Sequence, residues 1–251
     1  MPDTSILLAG VLVCFLGGIL GGLSGAGTGI VVAGFLTPII GAKAVMPALA
    51  IIMLINNGSR VFYYRHAVQG KAALLMTALA LPGTWFGTQL YMELSARTLE
   101  IILGVAILTI AAYRLVKRQH HAAVQAGAVS KKIYWLGGPI SLLYGFLNSV
   151  VPGSGVMVLA FFSAIGMTAS AMIATDAVIS LALNLGKIIM FRKLEGLPDS
   201  LILISLVCGI ASVPGVWFAK WLSTRLRQNT QRWIIELVIA LSAVHILWRA
   251  F

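Results

Sequence analysis

Ten apolar segments, separated by short polar stretches, restrict this chain to very few folds. They cover residues 5–23, 28–42, 45–64, 72–92, 98–115, 133–150, 154–166, 168–191, 199–222 and 232–249. Hydrophobic residues make up 59% of the chain and charged residues only 10%, against about 25% charged in an average soluble domain. A soluble fold cannot bury this much apolar surface, and the long runs do not alternate as β-barrel strands do. We therefore predict an all-α, polytopic bundle of transmembrane helices.

The charge of the chain fits a membrane protein better than a nucleic-acid-binding protein. Lys and Arg number 18 against 7 Asp and Glu, which gives a formal net charge of +11. Most of the basic residues flank apolar segments, where the positive-inside rule explains them, so we expect no nucleic acid partner. The cysteines and histidines show no metal-ligand spacing, and no nucleophile–base pair, P-loop or dinucleotide fingerprint is present. We expect no metal site and no enzymatic activity.

Three motifs recur in the same order in the two halves of the chain, which indicates an internal duplication. NGSRVFYYR (57–65) aligns with NLGKIIMFR (184–192), PGTWFG (82–87) with PGVWFA (214–219), and SGAGTG (24–29) with VPGSG (151–155). We predict a first transmembrane repeat (1–116), a basic cytoplasmic linker (117–132) and a second transmembrane repeat (133–251).

The number of segments in each half predicts that the two repeats are inverted. Each half crosses the membrane five times if all segments span, and three times if its first two segments form a re-entrant hairpin. Both numbers are odd, and an odd number inverts the second repeat. With the central basic stretch in the cytoplasm, eleven Lys and Arg lie inside and five outside, which supports inverted repeats with both termini outside. Four crossings in each half would give parallel repeats, and this alternative stays open.

Glycine-rich breaks beside two short segments predict a site for an anion. Residues 17–29 contain seven glycines, and the segments 28–42 and 154–166 are shorter than the about 20 residues that a span needs. Backbone hydrogen bonds break inside a membrane only where protein or a wet cavity replaces them. We expect short or discontinuous helices to restart near the membrane midplane at about Thr28 and Ser154, where free N–H groups and the helix dipole attract an anion.

Eight residues form this predicted anion site: Gly25, Gly27, Gly29, Gly153 and Gly155 for close backbone approach, with hydroxyl donors from Ser24, Thr28 and Ser154. The alternative function of these glycines is close packing of helices. For residues 17–22, where the spacing is small-xxx-small, we favour that packing function.

The third segment of each half carries a polar stripe on one helix face. Its members in the second half are Asp176, Ser180, Asn184 and Lys187. Asn57 and Arg60 occupy the positions of Asn184 and Lys187 in the first half. Because an ionised group near the bilayer centre costs about 2.5–3.5 kcal/mol on insertion scales, we expect Arg60 and Lys187 to attract an anion and both asparagines to bind it. The alternatives are that both cations snorkel to the interface and that the asparagines only join helices.

Asp176 is the only carboxylate well inside an apolar segment, and its repeat position lies near Leu49. It is our candidate for proton coupling. The alternative is that it neutralises Lys187 or a helix end near Thr175.

The motifs together resemble the sulfite exporter TauE/SafE family, also called the toluene sulfonate uptake permease family. The resemblance rests on GGLSGAGTGIVVAGFLTPIIG (21–41), NNGSRVFYYR (56–65), PGTWFGTQL (82–90) and their degenerate second copies. It implies a multi-pass carrier in the bacterial inner membrane, without an organic cofactor. The implied substrate is a sulfur-containing oxyanion: sulfite, thiosulfate or an organosulfonate.

From the residues and the resemblance we predict a secondary transporter that holds such an anion between the helix N-termini of its two repeats and works by alternating access. Export is favoured over import, because an inside-negative potential favours anion exit by about 2.3 kcal/mol per charge per 100 mV. Two alternatives stay open, an anion channel on the same fold and a membrane scaffold subunit that transports nothing. The expected partners are the anion, the lipid bilayer and a second copy of the chain in a homodimer.

Overall fold

The computed structural model describes residues 4–25, 27–116 and 132–225, and every regular element in these ranges is a helix. The α-helices are α1 Thr4–Ser24, α2 Thr28–Ile40, α3 Ala42–Tyr64, α4 Gly70–Glu93, α5 Ala96–Val116, α6 Lys132–Val150, α7 Gly155–Ala164, α8 Ala169–Lys193 and α9 Asp199–Arg225, with a 3-10 turn at Arg65–Ala67. The all-α prediction is confirmed for this part of the chain. The predicted linker 117–132, except its last residue, and the last apolar segment 232–249 lie outside the described residues.

The helices have the lengths and surfaces of an integral membrane protein. Within the described ranges, three are long and apolar enough to cross a membrane: Ala42–Ala67, Ala169–Lys193 and Asp199–Arg225. With 13 and 10 residues, α2 and α7 are only about 20 and 15 Å long at 1.5 Å per residue, against a hydrocarbon core of about 30 Å. Large apolar side chains such as Phe86, Trp217 and Ile210 lie on the exterior, which suits contact with lipid. The chain is therefore an integral membrane protein, and its described part includes two helices, α2 and α7, that are too short to span.

The most extensively packed helix pairs join the first half of the chain to the second half. Helix α1 packs along α9, and α4 packs along α6. Both pairs cross at glycines: a Cβ added to Gly18 would lie 2.2 Å from the Ser212 carbonyl oxygen, and one added to Gly145 would lie 1.9 Å from the Ala80 carbonyl oxygen. The backbones therefore touch directly, and the packing function favoured for residues 17–22 is confirmed at Gly18.

Helices α3 and α8 pack against each other at the centre and carry the two polar stripes. Helix α9 also packs on α3, and α4 packs on α8. Helices that the motif alignment makes equivalent (α1 and α6, α3 and α8, α4 and α9) thus have equivalent partners. One apolar core gathers mainly around α2, α3 and α5, and a second around α4, α6, α7 and α8.

Candidate functional site

A small cavity with polar and apolar lining residues lies where α2 and α7 begin, between α3, α6 and α8. Its volume is about 50 Å³, and since one ordered water needs about 10–15 Å³, it holds about three to five water-sized groups. Ten of the residues predicted from the sequence line it: Gly25, Gly27, Gly29, Gly153, Gly155, Asn57, Arg60, Asp176, Asn184 and Lys187. The structure thus brings both glycine breaks and both polar stripes to one place.

The two glycine breaks lie against each other at this cavity. Helix α2 begins at Thr28 and α7 at Gly155, within one residue of the predicted restarts. Gly25 has φ 73° and Gly153 has φ 83°, a region that glycine enters far more readily than other residues. A Cβ added to Gly29 would lie 3.5 Å from the backbone nitrogen of Gly153. The first turn of α2 therefore approaches the second break closely enough for one small ligand to contact both.

Arg60 joins α3 to α8 through a buried network. Its side chain is 2% exposed; Nη1 donates to Asn57 Oδ1 at 2.7 Å, and Nη2 to Asp176 Oδ2 at 3.3 Å. The other carboxylate oxygen, Oδ1, accepts from Tyr144 Oη at 3.2 Å and from Ser180 Oγ at 3.4 Å. Asp176 therefore neutralises Arg60, across the two halves of the chain. The sequence analysis named Lys187 and the helix end near Thr175 as the groups that Asp176 could neutralise, and Arg60 was not among them.

Lys187 is also buried, at 3% exposure, and has a neutral partner. Its Nζ donates to Asn148 Oδ1 at 2.7 Å and to the Asn148 backbone oxygen at 3.2 Å. Among the described residues, no carboxylate forms an ion pair with it. Arg60 points inward to Asp176 on α8, and Lys187 points inward to Asn148 on α6. Neither side chain therefore extends toward the membrane interface as the snorkelling alternative had proposed.

Several buried polar atoms at the cavity have no hydrogen-bond partner within the described part of the chain. Asn57 Nδ2 and Arg60 Nε are unpartnered donors, and Asn184 Oδ1 is an unpartnered acceptor. Most buried polar atoms in native proteins are paired, so such a group needs an explanation. A half-turn of the Asn184 amide would present its NH2 group instead. These atoms belong to residues that line the cavity, and a turn of their side chains would offer them to a ligand.

The three predicted hydroxyl donors do not line the cavity. Thr28 Oγ1 donates to the Gly17 carbonyl oxygen at 2.7 Å, and Ser24 Oγ donates to the Leu20 carbonyl oxygen at 2.7 Å. Ser154 Oγ accepts from Asn148 Nδ2 at 3.3 Å. Hydroxyl groups near helix ends readily bond to nearby backbone groups, which for Thr28 and Ser24 are carbonyls of α1. The cavity therefore does not use these three hydroxyl groups as donors.

Two lining residues on α6 were not predicted from the sequence. Tyr144 contacts Asp176 and Ser180, and Asn148 holds Lys187. They are four residues apart and therefore share a helix face. This spacing, just before the second glycine break in the otherwise apolar run YGFLN (144–148), is the signal that would have identified them. Ser180 stood on the predicted stripe but was not assigned to the site.

Comparison with known proteins identifies the family. The family model of the sulfite exporter TauE/SafE matches residues 10–246, which include the whole lining of the cavity. Searches of curated proteins and of solved structures returned no match. Since the family model covers both halves and nearly the entire chain, this protein belongs to the TauE/SafE sulfite exporter family of membrane transporters.

Proposed function

We propose that this protein is a secondary carrier that binds a small sulfur oxyanion in the cavity between the starts of α2 and α7. One observation carries the proposal: two buried cations, and residues with unpartnered polar atoms, line one cavity at two helix N-termini. Ionisable residues inside a membrane are costly and generally mark a functional path. Each helix N-terminus adds about half a positive unit charge and free N–H groups.

The donors available around the cavity match an anion with several oxygens. Arg60 Nε and Asn57 Nδ2 have no partner. The Lys187 ammonium has three protons to donate and two recorded acceptors, which leaves one proton for a ligand. Charge-assisted hydrogen bonds of this kind are about twice as strong as neutral ones. Together with the backbone N–H groups of the two breaks, they provide hydrogen-bond donors for a trigonal or tetrahedral oxyanion.

The size of the cavity favours inorganic sulfur oxyanions over organosulfonates. About 50 Å³ corresponds to about three to five water-sized groups, and sulfite has four non-hydrogen atoms and thiosulfate five. Methanesulfonate is as small as thiosulfate, but an organosulfonate with a longer carbon chain exceeds this volume. The name of the family, sulfite exporter, agrees with this choice.

The transport mechanism in our proposal is alternating access by two inverted repeats in the bacterial inner membrane. The equivalent packing partners of α1 and α6, and of α4 and α9, support an approximate twofold relation between the halves. In such carriers, discontinuous helices of the two repeats hold the substrate while one bundle moves against the other. We propose export, because an inside-negative potential drives anions outward.

The experiment is flux and counterflow of radiolabelled sulfite in liposomes that contain the purified protein. We expect saturable flux, labelled counterflow, and at least a tenfold loss in Lys187→Gln and Arg60→Gln, on the order of the loss of one charge-assisted hydrogen bond. Lys193→Gln and Arg65→Gln are matched controls, since both residues are exposed. Lys193 ends α8, six residues after Lys187, and Arg65 directly follows α3, five residues after Arg60.

Other outcomes would reject the proposal in different ways. Flux without saturation or counterflow would mean an anion channel. Absence of sulfite-dependent flux in folded, reconstituted protein would mean a scaffold subunit. Normal flux in both buried-cation variants would mean that the anion does not use this cavity.

A further inference from the structure

The polar lining of the cavity is unequal in the two halves. In the alignment of the polar stripes, Leu49 stands opposite Asp176 and Met53 stands opposite Ser180, and all four residues line the cavity. Both halves therefore contribute a cation, Arg60 or Lys187, but only the second half contributes an acid, Asp176. Asp176 and Ser180 lie on α8, and the two equivalent positions on α3 are apolar.

This inequality makes the two buried cations different. Arg60 is 3.3 Å from the Asp176 carboxylate, whereas Lys187 is held by neutral oxygens of Asn148. Three charged side chains line the cavity among the described residues, two cations and one carboxylate, so their sum is +1. In the absence of substrate, Asp176 is the anion that Arg60 binds.

We propose that Asp176 is an internal counter-anion for Arg60 and that its carboxylate is protonated when a doubly charged substrate binds. An anion with two negative charges therefore enters the cavity together with one proton. An anion with one negative charge enters without a proton, and Asp176 stays ionised. This inference rests on the proposed function, because it assumes that the anion binds in this cavity. It assigns to the site a preference for one net negative charge.

The physical reason is repulsion between two anions in a small space. A dianion inside about 50 Å³ lies within a few ångströms of the Asp176 carboxylate, and like charges that close favour protonation of one of them. A monoanion suffers half of this repulsion and is balanced by Lys187. The starts of α2 and α7 attract either anion through fixed partial charges, which do not change when a proton binds.

The groups around Asp176 point to this carboxylate as the site of the proton. Arg60 faces it from α3 and Tyr144 from α6, and Ser180 and Lys187 share its helix and the cavity. Among the described residues, α7 and the turn before α4 bring no charged side chain to the cavity. Tyr144 and Ser180 can each accept or donate a hydrogen bond, so both states of the Asp176 carboxyl group find partners. Once protonated, Asp176 no longer neutralises Arg60, whose guanidinium then serves the substrate.

The test counts protons taken up on binding. Calorimetric titration of the purified, full-length protein at neutral pH, in two buffers with different ionisation enthalpies, gives the number of protons bound per anion. The probes are thiosulfate, which carries two negative charges, and methanesulfonate, which carries one. We expect about one proton per thiosulfate and about none per methanesulfonate. Asp176→Asn should bind thiosulfate without proton uptake, and Glu195→Gln, which changes an exposed acid, should behave as the unmodified protein does.

Each outcome has a defined meaning. Thiosulfate binding without proton uptake in the unmodified protein would overturn this inference and leave the proposed function intact. Uptake that persists in Asp176→Asn would place the proton on another group, such as Lys187, and would also overturn it. Failure of both anions to bind would refute the proposed function and this inference together. The comparison of the two anions on the unmodified protein needs no variant, so it decides the matter even if Asp176→Asn does not fold.

Discussion

Replacing Gly29 with alanine should separate anion binding from stability. Gly29 lies in the first turn of α2 and lines the cavity. Its added Cβ would be 3.5 Å from the Gly153 backbone nitrogen and 4.0 Å from Pro152 Cβ, which are ordinary contact distances. The variant should therefore fold, and alanine in a helix gains up to about 1 kcal/mol over glycine, less in the first turn.

The same methyl group should nevertheless weaken binding, because it covers the space between the two breaks. A hydrogen bond to a charged group contributes about 1.5–3 kcal/mol. If the anion loses one such bond to the Gly153 backbone nitrogen, its dissociation constant should rise about 10- to 150-fold, at about 1.4 kcal/mol for each factor of ten.

The assay is sulfite binding and thermal unfolding of Gly29→Ala, measured on the same purified preparation. Gly58→Ala is the control: this glycine lies inside α3, its added Cβ meets only Leu181 Cδ1 at 3.6 Å, and it does not line the cavity. Both variants should unfold at or above the temperature of the unmodified protein, and only Gly29→Ala should lose affinity. Unchanged affinity in Gly29→Ala would mean that the anion does not contact the paired glycine breaks.

Two further substitutions test packing and hydroxyl roles. Thr28→Val removes the hydrogen bond to the Gly17 carbonyl oxygen and should lower the free energy of unfolding, measured in denaturant titrations, by about 1 kcal/mol. Sulfite flux in liposomes should stay within about twofold of the unmodified protein. A large loss of flux at normal stability would mean that this hydroxyl group contacts the anion. Gly145→Ala places a Cβ 1.9 Å from the Ala80 carbonyl oxygen and should sharply reduce the yield of folded protein in size-exclusion chromatography. Gly104→Ala, with nothing within 4 Å, should not, and equal yields would contradict the direct backbone contact of α4 and α6.

The sequence predicted the features of the site that depend on local signals. The restarts at Thr28 and near Ser154 follow from glycine and proline in short segments, and the helical period places Asn184 and Lys187 on one face. The ion pair of Arg60 with Asp176 was not predicted, because its partners are 116 residues apart and depend on how α3 meets α8. The Thr28 hydroxyl was misplaced for a related reason: its orientation depends on the nearest carbonyl of α1, which only the folded chain supplies.

The packing of helices from one half of the chain on helices from the other half has a consequence for synthesis of the chain in the membrane. Helix α1 is synthesised long before its packing partner α9, which begins only at Asp199. Until the ribosome has passed that residue, the glycine face of α1 lacks the helix that covers it in the folded protein. A truncated product that stops before α9 should accordingly be recognised by membrane proteases, and the two halves should rescue each other when they are expressed as separate polypeptides in one cell.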